Sequence, residues 1–207
     1  MKIAIMGAGA VGSYFGGLLA KAGLDVTFIA RGTHLKALQS QGLRIKSYKG
    51  DFSLPVKATS NPEEVGEADL ILFCVKAYHT EEATRLSIPI VGPKTAIISL
   101  QNGVDNEERI ASIVGPEKVM GGVAYVGVRI AEPGLVEHSM VGRIVFGELD
   151  GAISERARYF ERVFVEAGVP AQATAQIREV LWSKLAWNAA FNAISALTRT
   201  TIQEILE

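Results

Sequence analysis

KIAIMGAGAVG, residues 2–12, joins a short apolar run to three glycines at fixed spacing. KIAIM suits a strand covered on both faces. It runs straight into Gly7-Ala8-Gly9-Ala10-Val11-Gly12, a G-x-G-x-x-G. SYFGGLLAKAG then reads as a helix closed by Gly23, and DVTFIA as a second strand. Strand, glycine turn, helix and strand in this order are the context in which the fingerprint holds a dinucleotide. Gly7 permits the tight turn, Gly9 lets backbone approach a pyrophosphate, and Gly12 lets the helix pack on the strand. The helix N-terminus offers free N–H groups and a positive dipole to the phosphates. The competing reading is a glycine turn in an α/β fold without a ligand.

The end of the second strand bears on the cofactor. NAD-binding versions place an acid there for the ribose hydroxyls. This chain has Arg31, and a guanidinium can clamp a 2′-phosphate. NADP(H) is therefore expected over NAD(H), against an ordinary surface arginine at a strand end. ADLILFCVKA reads as a buried strand with Lys76 just past its end, and TAIISLQNGV as another ending in Gln101-Asn102-Gly103. In an open parallel sheet, ligands lie beyond the carboxyl ends of the strands, so Lys76 and Asn102 are placed to meet cofactor or substrate. A solvated loop lysine and plain Asn-Gly turn chemistry are their alternatives.

Elsewhere, LRIKSYKGDFSLPVKATSNPEEV reads as an antiparallel excursion. VDNEERIASIVG reads as a helix with Asp105 as its cap. Residues 118–149 alternate, with a hairpin at Glu132-Pro133-Gly134, and His138 falls at a strand position as a packed or surface side chain. ISERARYFERVFVEAG reads as an amphipathic helix, and VPAQATA as a short strand or linker. The fold expected is α/β: a Rossmann-type doubly wound parallel sheet over residues 1–174, then the start of an all-helical second domain over 175–207.

The 207 residues carry a net charge of −1, with no basic surplus to point to nucleic acid or an anionic membrane. The single cysteine, Cys74, excludes an internal disulfide framework and fits a reducing compartment. No secretory signal is apparent, and the N-terminal apolar run is too short and glycine-rich for a membrane span. A cytoplasmic protein is expected.

After about residue 175 strand signals stop. IREVLWSKLAWNAAFNAISALTRT is apolar nearly all round, the pattern of a helix buried on most faces. Within it Lys184, Asn188 and Asn192 lie four apart on one stripe, between Leu181, Trp182, Leu185, Trp187 and Phe191. Burying an unpaired ammonium costs several kcal/mol or lowers its pKa, roughly. Such a stripe persists where it lines a polar cleft. A lysine there can donate a proton or polarise a carbonyl, and amides can orient a substrate. The alternative is a solvent-facing polar stripe, against which the small neutral amides and bulky flanks argue.

Together MGAGAVGSYFGGLLAKAG, VTFIAR, VKAY, SLQNGV and above all KLAWNAAFNAISAL make the whole chain resemble the ketopantoate reductases. That family reduces 2-dehydropantoate, a 2-keto acid, to (R)-pantoate with NADPH, on the way to pantothenate and coenzyme A. The resemblance implies that Lys184 is the catalytic lysine and that Asn188 and Asn192 hold the substrate. It places Asn102 by the nicotinamide ribose, where it also orients the lysine. It gives Gly7–Gly12 the pyrophosphate, Arg31 the 2′-phosphate and Lys76 a place near the cofactor. The family's helical domain is longer than the segment after residue 174 and supplies a glutamate and a serine to the substrate site. The chain ends at Glu207 in what reads as a starting helix, as either a fragment or a naturally shortened protein would; if it is complete, Trp182, Trp187 and Phe191 need another covering, and a homodimer would supply one. Two other readings stand beside this one: an NADPH-binding fragment or sensor module without turnover, and a related 2-keto or 3-hydroxy acid dehydrogenase. The 3-hydroxyacid enzymes carry a glycine-rich lead-in to the lysine, where this chain has REVLWS.

Overall fold

Alternation along the first strand sets the layers. In a computed structural model that describes residues 1–206, β1 is Lys2–Met6. Ile3 and Ile5 enter one core, and Ala4 and Met6 the other. Successive side chains of a strand point to opposite faces, so a strand apolar at every position needs cover on both. The helix α1, Ala10–Lys21, supplies Phe15 and Leu19 to the first core. Then follow β2 (Asp25–Ile29), α2 (Gly32–Gln41), β3 (Leu43–Ser47), β4 (Phe52–Leu54) and β5 (Lys57–Thr59).

The second half repeats the device. β6 (Ala68–Phe73) and β7 (Val91–Ser99) divide their apolar residues between the same two cores. α3 (Thr80–Ser87) and α4 (Asn106–Val114) cover the second core through Ala83 and Ile110. β8 (Val119–Glu132) and β9 (Leu135–Glu148) form a long antiparallel hairpin. Its turn is at Pro133-Gly134, where Gly134 has a φ of +78° that a side chain would resist. α5 (Glu155–Glu166) is capped by Ser154, whose Oγ accepts from Ala157 N at 3.0 Å, and buries Ala157, Phe160 and Phe164. β10 (Ala171–Ala173), α6 (Ile177–Thr198) and α7 (Ile202–Leu206) follow.

The ten strands make one sheet, in the order β4-β3-β9-β8-β7-β6-β1-β2-β5, with β10 beside β9. From β5 to β8 neighbours are parallel. The chain runs outward one way through β1, β2 and β5 and the other way through β6, β7 and β8. That is the doubly wound order, and its switch point lies between β1 and β6, beyond which Gly7 begins the glycine turn. The expected excursion splits: β3 and β4 pair antiparallel at the far end of the sheet, whereas β5 returns parallel to β2. Among the described residues no helix is long and apolar enough to cross a membrane.

Two expectations need correcting. Asp105 stands at the N-cap of α4, but its carboxylate makes no cap bond and instead takes Arg109 NH2 at 2.6 Å, one turn on. The helix α6 is not buried on most faces. Ile177 and Leu181 pack with Val123 under the hairpin, while Trp182 is 61% and Leu197 85% exposed. Burying an aliphatic or aromatic side chain is worth about 1.5–3 kcal/mol. Past Leu181 little of that is realised, so the apolar pattern records a covering that residues 1–206 do not provide. Glu207, the last residue of the expected second domain, lies outside the described residues.

One buried acid stands out in α4. Glu107 is 1% exposed, and neither carboxylate oxygen finds a hydrogen-bond partner. Burial pushes its carboxyl up to about 7, against about 4.3 in an unfolded chain. The folded state keeps a proton that the unfolded chain has released. Stability therefore falls as pH rises from about 4.3 to about 7, and is level above that window. Glu107→Gln removes this dependence. Its melting temperature should match the parent near pH 4, then exceed it by roughly 5 °C or more above pH 7. Thermal melts of both proteins at pH 4.5, 6 and 8 check this, and an equal difference at all three would assign the dependence elsewhere.

Candidate active site

The carboxyl ends of β1, β2 and β6 open on a cleft of about 360 Å³. Gly7, Ala8, Gly9, Arg31, His34 and Lys76 line it. The glycine turn is pinned to its neighbour strand, with Gly7 N and Ala8 N both donating to Ile29 O at 3.3 and 2.9 Å. Gly7 has a φ of +92°, and a Cβ there would strike Val75 at 2.7 Å. A Cβ on Gly12 would lie 2.5 Å from Gly7 O and 2.7 Å from Ile5. Gly9 differs, since a Cβ there would meet nothing within 4 Å. The protein's own packing does not require glycine at position 9, the N-cap of α1, so the backbone there is open to close approach by a bound group.

Ala10, Val11 and Gly12 stand behind the cleft wall in the first turn of α1. The first N–H groups of a helix have no intrahelical acceptor, and here they sit at the switch point with the positive end of the helix dipole. Residues Gly7–Gly12 and the basic Arg31 thus fit a dinucleotide phosphate.

His34 connects this cleft to the hairpin. Gly134 N donates to His34 Nδ1 at 3.2 Å, so Nε2 carries the hydrogen and meets Ser13 Oγ at 3.2 Å. Ser13 Oγ in turn donates to Ala8 O at 3.1 Å. Burial holds the His34 pKa below the usual imidazole value, consistent with a neutral ring in this relay. Sequence reasoning assigned His34 nothing; its partners lie far away in the chain. Burial pushes the Cys74 thiol up to about 12, away from the thiolate form. His138 packs against Tyr14 with ring centroids 4.2 Å apart and bonds Ser47 Oγ through Nδ1, away from the cleft.

A second group sits past the ends of β6 and β7. Asn102 is exposed on the loop after β7. A buried amide network, also missed in the sequence, holds that loop. Gln101 Nε2 donates to Val75 O at 3.0 Å and Thr80 Oγ1 at 2.8 Å. Thr80 Oγ1 lies 3.1 Å from Asn106 Oδ1, and Asn106 Nδ2 donates to Asn102 O at 3.0 Å. The loops bearing Lys76 and Asn102 are therefore braced against each other. The only sequence signal was the polar run of Gln101 and Asn102 beside a buried strand.

Lys184, Asn188 and Asn192 fall on one stripe of α6, outside the cleft. Lys184 Nζ sits 4.9 Å from the centre of the Tyr125 ring, on β8. Tyr125 packs in one cluster with Val104, next to the Asn102 loop, and Leu181. Partial burial lowers the Lys184 pKa. Asn188 is half-buried and Asn192 exposed. The geometry thus offers a phosphate-binding loop, a braced amide loop and a partly desolvated ammonium.

The comparisons with known proteins agree on one family. Residues 3–151 match the family model described as ketopantoate reductase PanE/ApbA, and residues 176–207 match that of its C-terminal region. The chain is 36% identical, over its whole length, to a 2-dehydropantoate 2-reductase of Mesorhizobium japonicum, covering 70% of that protein. It is 40% identical over 99% of its length to one from Archaeoglobus fulgidus, covering 67%. The crystal structure of 2-dehydropantoate 2-reductase from Geobacter metallireducens superposes with a TM-score of 0.94 at 40% identity, over 100% of this chain and 68% of that one. The chain thus spans about two thirds of the length of these relatives.

The two glycines predict opposite outcomes. Gly12→Ala should destabilise by about 1–3 kcal/mol through overpacking, visible as a lower melting temperature. Gly9→Ala should melt like the parent yet bind a dinucleotide roughly tenfold or more weakly. A Gly9→Ala protein with parental affinity would remove the phosphate reading of the loop.

Proposed function

The chain belongs to the ketopantoate reductase family, and from that premise we propose that it reduces 2-dehydropantoate to (R)-pantoate with NADPH. The observation that carries the proposal is the Lys184-Asn188-Asn192 stripe on a helix anchored in one cluster with Val104, next to the Asn102 loop. Residues 1–174 form the NADP-binding part in this reading, and residues 175–207 begin the helical substrate domain. The sole cysteine and the biosynthetic role fit the cytoplasm.

NADPH supplies the hydride that reaches C2 of the keto acid. Gly7–Gly9 shape the turn, their own N–H groups being bonded within the protein, so the N–H groups of Ala10, Val11 and Gly12 at the start of α1 would bind the pyrophosphate, and Arg31 would take the 2′-phosphate. Lys76 adds positive charge on the cleft wall. Asn102 orients the Lys184 ammonium. Lys184 polarises the keto oxygen and donates a proton to it as the alkoxide forms. A lysine whose pKa is lowered gives up its proton more readily than a solvated one. Asn188 and Asn192 hold the polar groups of the substrate. A second copy of the chain over Trp182, Trp187 and Phe191, as a homodimer, would further desolvate this stripe.

A second reading is a dinucleotide-binding module without turnover. The exposure of the α6 apolar face favours it. Steady-state oxidation of NADPH in the presence of 2-dehydropantoate separates the two. Saturable turnover supports the reductase; tight NADPH binding with no turnover supports the module.

Lys184→Ala should lower kcat by about 10²–10⁴-fold, with NADPH affinity nearly unchanged. Asn192→Ala should mainly raise the KM for the keto acid. A Lys184→Ala protein with near-parental kcat would make the stripe structural. Arg31→Ala should weaken NADPH much more than NADH, and equal losses would dismiss Arg31 as the phosphate clamp.

A further inference from the structure

Arg31 is not free in the cleft. Its NH2 lies 3.1 Å from Glu82 Oε1, and the other oxygen of that carboxylate is 3.3 Å from His79 Nδ1. All three residues line the cleft with the glycine turn. Arg31 stands at the N-cap of α2, and Glu82 in the first turn of α3. The pair therefore bridges the two halves of the doubly wound sheet across the mouth of the cleft. Its side chains are 67% and 53% exposed, so neither is locked by packing.

A 2′-phosphate brought to Arg31 meets this carboxylate. The guanidinium must release one anion to take another, and Glu82 then stands beside a phosphate of about −1.5 to −2 charge. A ribose that keeps its 2′-hydroxyl creates no such conflict, because a carboxylate accepts a hydrogen bond from a hydroxyl. Lys or Gln at position 82 would leave Arg31 unopposed.

We propose that Glu82 is a specificity-determining residue that competes with the cofactor's 2′-phosphate for Arg31 and so narrows the preference for NADPH over NADH. The inference rests on the reading of this cleft as an NADP(H) site. Discrimination is then a difference between an attraction and a built-in repulsion, and not the strength of Arg31 alone. His79 gives the displaced carboxylate a second partner, so the exchange at Arg31 need not leave Glu82 without one.

The test is a set of fluorescence titrations of the whole chain with NADPH and with NADH, in low salt, for the parent, Glu82→Gln and Glu82→Lys. An exposed ion pair is a weak competitor, so Glu82→Gln should tighten NADPH by about fivefold at most. NADH should stay within about twofold or weaken. Glu82→Lys should tighten NADPH further. The advantage of Glu82→Gln should shrink as salt is raised, since exposed charges are screened. Melting temperatures of the variants verify that each is folded. An unchanged NADPH-to-NADH ratio in both variants, with the parent binding, overturns the proposal and leaves the cofactor reading standing. Failure of the parent to bind either dinucleotide overturns both.

Discussion

The backbone contact between α1 and the first strand is the constraint on which the site depends. Gly12 sits so close to Gly7 O and Ile5 that one methyl group would not fit. This lets the helix start within a few residues of the strand, at the switch point, next to the cleft. Were the helix seated further out, Phe15 and Leu19 would leave the core and the dipole would point past the phosphates. Core packing and phosphate binding therefore draw on one geometric requirement. They separate at Gly9, where the fold is indifferent to a side chain and a ligand is not.

The rest of the site is arranged to keep loops still. Polar side chains buried at the ends of β6 and β7 are satisfied by one another, and so the loops bearing Lys76 and Asn102 share a brace. Buried amides and hydroxyls rigidify a structure only when each finds a partner. Glu107, in the first turn of the adjacent helix, is the exception, a buried acid whose oxygens make no well-formed hydrogen bond, with only Ser99 nearby to offer one. Remaining protonated near neutrality is how it avoids placing a bare charge in the core.

Much of this was legible in the sequence, for identifiable reasons. The β1–α1–β2 unit is local: its periodicity changes from two to 3.6 within a few residues, and Gly7 and Gly12 have steric duties. The Lys184 stripe was legible because i, i+4 spacing fixes a helix face. Less legible were features made by distant pairing. Nothing in Leu43–Ser47 announces that it lies parallel to β9, at the opposite end of the sheet from β5. Nor does His34 announce Gly134, or Arg31 announce Glu82. Asp105 had the right type and place for a cap, but an arginine one turn on offered its carboxylate a charged partner. The apolar face of α6 was read correctly as composition and wrongly as burial, because a sequence encodes a surface to be covered without naming what covers it.

That last distinction bears on how Lys184, the proton donor of the proposed function, is held. Ile177 and Leu181 are one turn apart and buried, and Lys184 follows less than a turn later. The anchor therefore fixes where the ammonium leaves the helix, and Tyr125 gives it a face to rest on. Asn188 and Asn192 lie one and two turns further along, where the packing beneath the helix has stopped. Under the proposed function, rigidity so graded would set the Lys184 ammonium by the sheet and leave the Asn188 and Asn192 amides to be set by whatever packs on the outer face of α6. A keto acid would then meet a donor already in place and a binding surface completed by closure.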